Sequence, residues 1–251
     1  MTESFQASDK HFWHRYVDVY HEAFRALGQV SDVLEFGVAE GHSIRWLADC
    51  FPEARIVGAD LMPEQPGWPK ADRISYVRVD QAERSVVAAM FARLGRQFDV
   101  VVEDGSHIPS HQATCLVEGI GCLRPGGLYI LEDVHSSHPD NADFRRFSPP
   151  DAANCLHVLL ALQHLKDIGE PLTDALAASL VTPGFFSAEE VGFLAREIAS
   201  IVLYKRTSLP LRCYRCGSNA FDYRHLRCRC GADLYAAADS MSFLLRRRGG
   251  L

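Results

Sequence analysis

Two apolar runs in the middle of the 251-residue chain end in acidic side chains. FDVVVEDG (98–105) carries Asp104 and is followed by Ser106-His107, while LYILED (128–133) ends in Glu132-Asp133. Short continuous apolar runs predict buried strands of a parallel sheet, and open parallel sheets gather their ligands beyond the carboxyl ends of the strands. Asp104, Glu132 and Asp133 are therefore expected at one rim. Carboxylates that converge in a cleft raise one another's pKa unless a cation neutralises them. Oxygen-only ligation favours a hard ion such as Mg²⁺, which keeps positions open for water or substrate hydroxyls. His107 stands three residues beyond Asp104 and is the candidate general base, because a metal-bound hydroxyl is acidic enough to yield its proton to a neutral imidazole. Taken singly, Asp104 could cap its own turn and Glu132-Asp133 could be a solvated strand end. At matched strand ends the shared site is the better reading. His111, His135 and His138 lie near the same rim and are read as surface or hydrogen-bonded side chains.

A second constellation precedes this one. VLEFGV (33–38) leads through the turn Glu35-Phe36-Gly37-Val38-Ala39-Glu40-Gly41 into a helical stretch that includes Ser43, Ile44, Trp46 and Leu47. Small residues in such a turn let the backbone approach a ligand and deliver it to a helix N-terminus. Asp60 ends the run ARIVGADL (54–61) about 20 residues later, where a carboxylate can accept both hydroxyls of a ribose. Asp80-Gln81 follows ISYVRV at the third strand end, in reach of an adenine edge. A nicotinamide-dinucleotide site is the rival, but the acidic residue Glu35 suits a cationic ligand better than a diphosphate.

These residues need elements to hold them. Phe12, Tyr16, Val19, Tyr20 and Phe24 lie near helical spacing and predict one amphipathic helix over 10–27. Further helices are expected through Val86–Leu94, over 110–123, and over about 151–168 and 187–198, with a turn at Arg124–Gly127 and a late strand over 200–207. Pro139, Pro149 and Pro150 mark a loop. Strands alternating with helices predict an α/β chain with a Rossmann-like, doubly wound, mostly parallel sheet. Apolar residues make up 47% and charged residues 23%, a balance that excludes a disordered or fibrous chain. The sequence has no apolar run of about 18 residues that would span a membrane, and its first residues lack a signal layout. A cytoplasmic protein without a membrane partner is expected.

The turn, Asp60 and Asp80 together resemble class I S-adenosylmethionine methyltransferases. The stretch GADL…VRVDQ…FDVVVEDGSHIPSHQ…LRPGGLYILEDVHSS is similar, more narrowly, to metal-dependent sugar O-methyltransferases of the mycinamicin and tylosin type. The likeness covers about 10–206, with its motifs before Ser137. It implies that Glu35, Gly37, Ala39, Gly41 and Ser43 line the methionine and ribose side of the cofactor. It also implies that Asp60 binds the ribose and that Asp80 and Gln81 flank adenine. Asp104, Glu132 and Asp133 match the family's magnesium ligands, His107 its general base, and Asp9-Lys10 its site-enclosing N-terminal segment. The implied reaction is methylation of a hydroxyl on a sugar or glycosylated natural product. The same metal logic would serve a catechol or another vicinal diol. Self-association into a homo-oligomer is implied by the resemblance alone. Trp13 and Trp68 could stack on a sugar face, whereas Trp46 is read as core.

The cysteines divide into two groups. Cys50, Cys115, Cys122 and Cys155 are scattered among apolar residues and read as core. Cys213, Cys216, Cys228 and Cys230 form C-x₂-C…C-x-C, with a glycine after Cys216 and after Cys230 to let each knuckle turn. Four thiolates suit a closed, tetrahedral, structural Zn²⁺ site. The set resembles a zinc ribbon one residue short in its second pair; the rival is four reduced thiols in an irregular loop. Charge splits the same way: the balance is +7 from Val202 onward and −13 before it. Arg212, Arg215, Arg224, Arg227, Arg229 and Arg246–Arg248 would permit an RNA- or protein-binding module. The acidic body repels phosphates, so nucleic acid is the lesser expectation. The predicted organisation is an N-terminal helical segment (1–30), a methyltransferase-like domain (31–208) and a cysteine element with a basic tail (209–251). In that tail MSFLLRRR (241–248) returns as an edge strand.

Overall fold

The computed structural model describes Gln6 and residues 8–249; the outermost residues of the expected 1–30 and 209–251 segments lie outside them. Runs rich in Val, Ile and Leu form the sheet: β1 (Asp32–Phe36), β2 (Arg55–Asp60), β3 (Ile74–Arg78), β4 (Phe98–Glu103) and β5 (Leu123–Leu131). All five are parallel, in the order β3-β2-β1-β4-β5. Alternate side chains of β1 enter opposite cores. Leu34 and Phe36 join a cluster with Val57, Leu116 and Tyr129, while Val33 joins Ile44, Leu47, Ile56 and Ile130. Burial on both faces explains why these strands read as continuous apolar runs rather than alternating ones. The crossover helices are α3 (His42–Cys50), α4 (Arg84–Leu94) and α5 (Pro109–Cys122); β5 then begins at Leu123 and absorbs the expected Arg124–Gly127 turn.

The expected helix over 10–27 is two. α1 (Asp9–Phe12) and α2 (Val17–Arg25) are separated by Arg15 in the left-handed region, at φ 61°. The break has a cause in what must be buried on each side of it. Trp13 packs among Cys213, Cys228 and Leu234, whereas Tyr16, Tyr20 and Phe24 enter the sheet core around Trp46. Beyond β5 come a 3₁₀ turn (Val134–Ser137), α6 (Cys155–Ile168), α7 (Asp174–Ser179) and α8 (Ala188–Glu197). Capping boxes at Asn154 and Ser187 start α6 and α8.

The last strands correct the expected tail. β6 (Ile198–Lys205) forms the edge, and β9 (Met241–Arg247) lies between β5 and β6, antiparallel to both. The 241–248 segment is thus an interior strand, because Phe243 and Leu245 bury on one face of the sheet and Leu244 on the other. The cysteines sit in the β6–β9 connection, which contains only the short pair β7 (Phe221–Asp222) and β8 (Arg227–Cys228). The block 209–251 is therefore divided: its last part belongs to the main sheet. Among the described residues no helix is long and apolar enough to cross a membrane.

Candidate active site

The carboxyl ends of β1, β4 and β5 stand side by side, with Phe36 level with Glu103 and Glu103 level with Leu131. Asp104 and Glu132 follow directly. Into this acidic rim α1 inserts Lys10, whose Nζ lies 2.5 Å from Asp104 Oδ2, 2.7 Å from Glu132 Oε1 and 3.5 Å from Glu35 Oε1. Burial alone would lower the Lys10 pKa, but the three carboxylates outweigh it and hold the ammonium charged well above its ordinary value. Glu132 is raised by burial and then by Asp104. Burial also raises Glu35 to about 7, against the pull of Lys10. One cation serves three acids, so negative charge remains uncompensated.

A second group lies alongside. Asp104, His107 and Asp133 each offer a donor atom, all within 4.8 Å of one another. His107 Nε2 is 3.7 Å from Asp133 Oδ2 and 4.0 Å from Asp104 Oδ1. His107 and Asp133 both hold left-handed backbones, at φ 56° and 52°, a strained conformation for residues with a side chain. Asp133 is also approached by His14 and His135 at 3.7 Å and accepts a 2.8 Å hydrogen bond from Tyr16. These neighbours hold its pKa below the usual carboxylate range although burial alone would raise it. Burial likewise disfavours a charged His107, yet Asp133 and Asp104 raise its pKa. Nδ1 of His107 and of His135 is buried without a hydrogen-bond partner among the described residues. The expected triad of carboxylates is thus split: Asp104 and Asp133 meet at His107, while Glu132 turns to Lys10. The carboxylate oxygens of Asp104 and Asp133, all-oxygen donors side by side, fit a hard divalent ion, with the His107 imidazole next to it.

The cradle begins at Gly37, with φ 83°. A Cβ there would stand 2.0 Å from the Asp104 carbonyl oxygen, so only glycine lets the β1 and β4 ends approach this closely. Ser43 Oγ donates to Glu35 Oε2 at 2.7 Å. Gly37, Val38, Ala39 and Ser43 line a cavity of about 430 Å³, faced by Lys10, Phe12, Asp104 and Tyr214. That volume lies in the ordinary range for small-molecule pockets, about 300–1,000 Å³. The other expected cofactor residues stand outside its lining. Asp60 Oδ2 accepts from Val38 N at 2.7 Å and fixes the turn, and Asp80 Oδ1 accepts from Ala82 N at 2.9 Å. Gln81 spends its amide on Glu103 Oε1 and on Ser106 N, and Gly41 backs onto Pro69. Trp13 and Trp68 are buried rather than offered to a sugar; Trp68 Nε1 ties down the Ala39 carbonyl at 2.8 Å.

Sequence spacing marks Lys10 only as part of an enclosing segment and Tyr16 only as a core position; neither the reach of Lys10 into the acids nor the places of His14 and Tyr214 follow from it. A lysine six positions before the first core tyrosine gives no periodic signal, since the acids it meets, Glu35, Asp104 and Glu132, are remote in sequence. The four clustered cysteines do converge: Sγ of Cys213 and Cys230 are 3.6 Å apart, and those of Cys216 and Cys228 are 3.5 Å apart. Tetrahedral zinc with bonds of about 2.3 Å separates its sulfurs by about 3.8 Å. A disulfide would need about 2.05 Å. The Ala232 backbone N–H draws Cys230 down to about 7, toward the thiolate a metal requires. Of the basic tail, Arg246 and Arg248 donate to the carbonyls of Ala23 and Arg196, and Arg247 pairs with Glu197.

The seven-stranded order, with its antiparallel strand between the last two, is that of a Rossmann-like methyltransferase fold. Residues 34–134 match a family model described as a methyltransferase domain. The chain is similar to two curated sugar O-methyltransferases. It is 33% identical over 137 residues to mycinamicin VI 2''-O-methyltransferase of Micromonospora griseorubida, covering 51% of this chain and 33% of that protein. It is 26% identical over 207 residues to L-olivosyl-oleandolide 3-O-methyltransferase of Streptomyces antibioticus, covering 79% of this chain and 50% of that protein. The chain thus spans half or less of these relatives' length. Among solved structures it resembles the methyltransferase MycE of the mycinamicin pathway in complex with Mg and S-adenosylhomocysteine. That likeness has a TM-score of 0.58 at 22% identity and covers 94% of this chain and 50% of MycE.

Proposed function

We propose that the protein transfers the methyl group of S-adenosylmethionine to a hydroxyl of a sugar on a glycosylated natural product, assisted by Mg²⁺. The observation that carries this reading is that Asp104 belongs both to the cavity beside Gly37 and to the Asp104–His107–Asp133 cluster. A donor in the cavity and an acceptor at the cluster would meet across one side chain. Glu35 and its Ser43 partner would face the methionine end of the cofactor, and the Gly37–Ala39 backbone would allow its close approach. In the cofactor-bound protein Asp60 would turn its free acceptor capacity to the ribose, with Asp80 and Gln81 toward adenine. Asp104 and Asp133, joined by Glu132, would hold a divalent ion that acidifies a bound hydroxyl and orients it. His107 would take the hydroxyl proton at Nε2, the atom that faces the two carboxylates.

A cleft of about 730 Å³ opens three residues past Asp133, between Ser136–His138, Phe144 and Asn154, and offers room for an acceptor's aglycone. Structural zinc at the four cysteines and a cytoplasmic, self-associating protein belong to the same reading.

The test is methyl transfer from labelled S-adenosylmethionine to rhamnosylated polyketides and macrolide glycosides. Turnover should vanish with EDTA, stay absent when one equivalent of zinc alone is returned, and come back with MgCl₂ added to that zinc-restored protein. His107→Ala should lose about 10²–10⁴-fold in turnover while S-adenosylhomocysteine affinity stays as in the parent. Turnover indifferent to chelation would reject the metal, and an active His107→Ala variant would reject the base.

A further inference from the structure

The four-cysteine element and the N-terminal segment are built into each other. Trp13 is buried in a cluster with Cys213, Cys228, Ala232 and Leu234. The Arg206 guanidinium stacks 4.9 Å from the Trp13 ring and ties that ring to the element by donating to the Leu234 carbonyl and pairing with Asp239. Leu211 N donates to the Phe12 carbonyl at 2.8 Å, and the Arg212 guanidinium lies 4.0 Å from the Phe12 ring centroid. Between Cys213 and Cys216 the first knuckle presents Tyr214. Its ring meets Trp13 edge-on at 4.7 Å and lines the cavity at Gly37–Ser43. About half of the Tyr214 surface stays exposed, and part of it is on the cavity side.

We propose that the zinc-bound knuckle forms a wall of the cofactor cavity, with Tyr214 as a cofactor-contacting residue, so that binding of S-adenosylmethionine depends on metal held at the four cysteines. The inference rests on the cavity being the cofactor site. Each knuckle is a short turn whose few buried residues pack with Trp13, and only two residue pairs link β7 to β8. Four Sγ atoms around one ion are what fix the direction of Tyr214, and through Trp13 they fix the segment that carries Phe12 and Lys10 to the same cavity. Metal at this site coordinates no substrate; Tyr214 and Trp13 act on the cofactor by position.

The experiment uses the full chain. Metal content by plasma mass spectrometry should give one zinc per chain, and calorimetry should give the dissociation constant of S-adenosylhomocysteine. Tyr214→Ala is expected to keep its zinc and its thermal transition but to bind S-adenosylhomocysteine at least 5-fold more weakly, with Tyr214→Phe restoring most of the affinity. Cys216→Ser together with Cys230→Ser is expected to lose zinc and at least the same affinity. Native affinity in Tyr214→Ala would overturn the contact, and native affinity in a zinc-free, folded double variant would overturn the dependence on metal. A parent protein that holds zinc but binds no S-adenosylhomocysteine would instead overturn the cofactor reading of the cavity, and the proposal with it.

Discussion

Lys10→Met tests the central electrostatic arrangement. The ammonium is almost fully buried and is shared by Asp104, Glu132 and Glu35, so methionine keeps the stem and deletes the charge. Removing one partner of a buried ion pair costs about 3–5 kcal/mol, because the other charge is left uncompensated. For a chain of this size that corresponds to a fall of roughly 6–20 °C in Tm. The pH dependence has a definite sign. The folded pKa of Lys10 lies above its ordinary value, so its contribution is complete below the unfolded pKa and constant across pH 5–8. Asp104 and Glu132 are already raised by burial, and without the lysine they rise further. An acid with a raised folded pKa binds more protons folded than unfolded, so the variant regains stability as pH falls. The deficit should be largest near pH 8 and shrink toward pH 5.

Urea unfolding of both proteins in EDTA, at the two pH values, reads this directly. Added MgCl₂ or MnCl₂ should then stabilise the variant more than the parent, since acids that lose their ammonium are free to bind a divalent ion. Binding to the folded state alone contributes about 2.7 kcal/mol at 100-fold over Kd. A variant as stable as the parent in EDTA at pH 8 would show that Lys10 does not sit among the acids. A deficit unchanged between pH 5 and 8 would refute the protonation argument.

Two further outcomes follow from the cradle. Gly37→Ala places a Cβ against the Asp104 carbonyl in a left-handed backbone and should cost at least about 2 kcal/mol in urea; it should also weaken S-adenosylhomocysteine binding, and an unperturbed variant would mean the strand ends are not in contact. Glu35 has a folded pKa of about 7, so it costs stability progressively as pH rises from its unfolded value through 7, in total about 3 kcal/mol. Relative to the parent, Glu35→Gln should therefore gain stability between pH 4 and 8, and a pH-independent difference would place Glu35 in water.

The parallel strands are legible because burial on both faces leaves runs such as 100–102 and 128–131 without charged residues. Asp104, Glu132 and His107 were legible for the same reason: chemistry at strand ends is tied to a local pattern. Lys10 and Tyr214 were not, since each gains its role from partners that are remote in sequence, Glu132 for one and Trp13 for the other. The strand Met241–Arg247 was recognised as β but misplaced at an edge. Its alternation cannot reveal that two neighbours, β5 and β6, compete for its two sides. The 10–27 helix failed at Trp13–Arg15 because periodicity measures one face, and this segment must bury two.

If the proposed function holds, Asp104 is the residue at which the two reactants would meet. Its carbonyl limits Gly37, its Oδ2 holds Lys10 and its Oδ1 faces His107. Methyl transfer requires the reacting atoms about 3–3.5 Å apart and aligned, a tolerance that flexible loops would not meet unaided. Here the tolerance is set by the β1–β4 register, which puts Phe36 beside Glu103 and hence Gly37 beside Asp104. On the proposed function, a strand-end acid adjoining a glycine on the neighbouring strand would carry a cofactor wall and a proton-handling cluster at a separation fixed by the sheet itself. The β6–β9 connection adds a further side chain, Tyr214, to the lining of the cavity. Both ends of that connection are anchored in the main sheet, by β6 and by β9, which leaves the metal at the four cysteines only Tyr214 and its knuckle to hold.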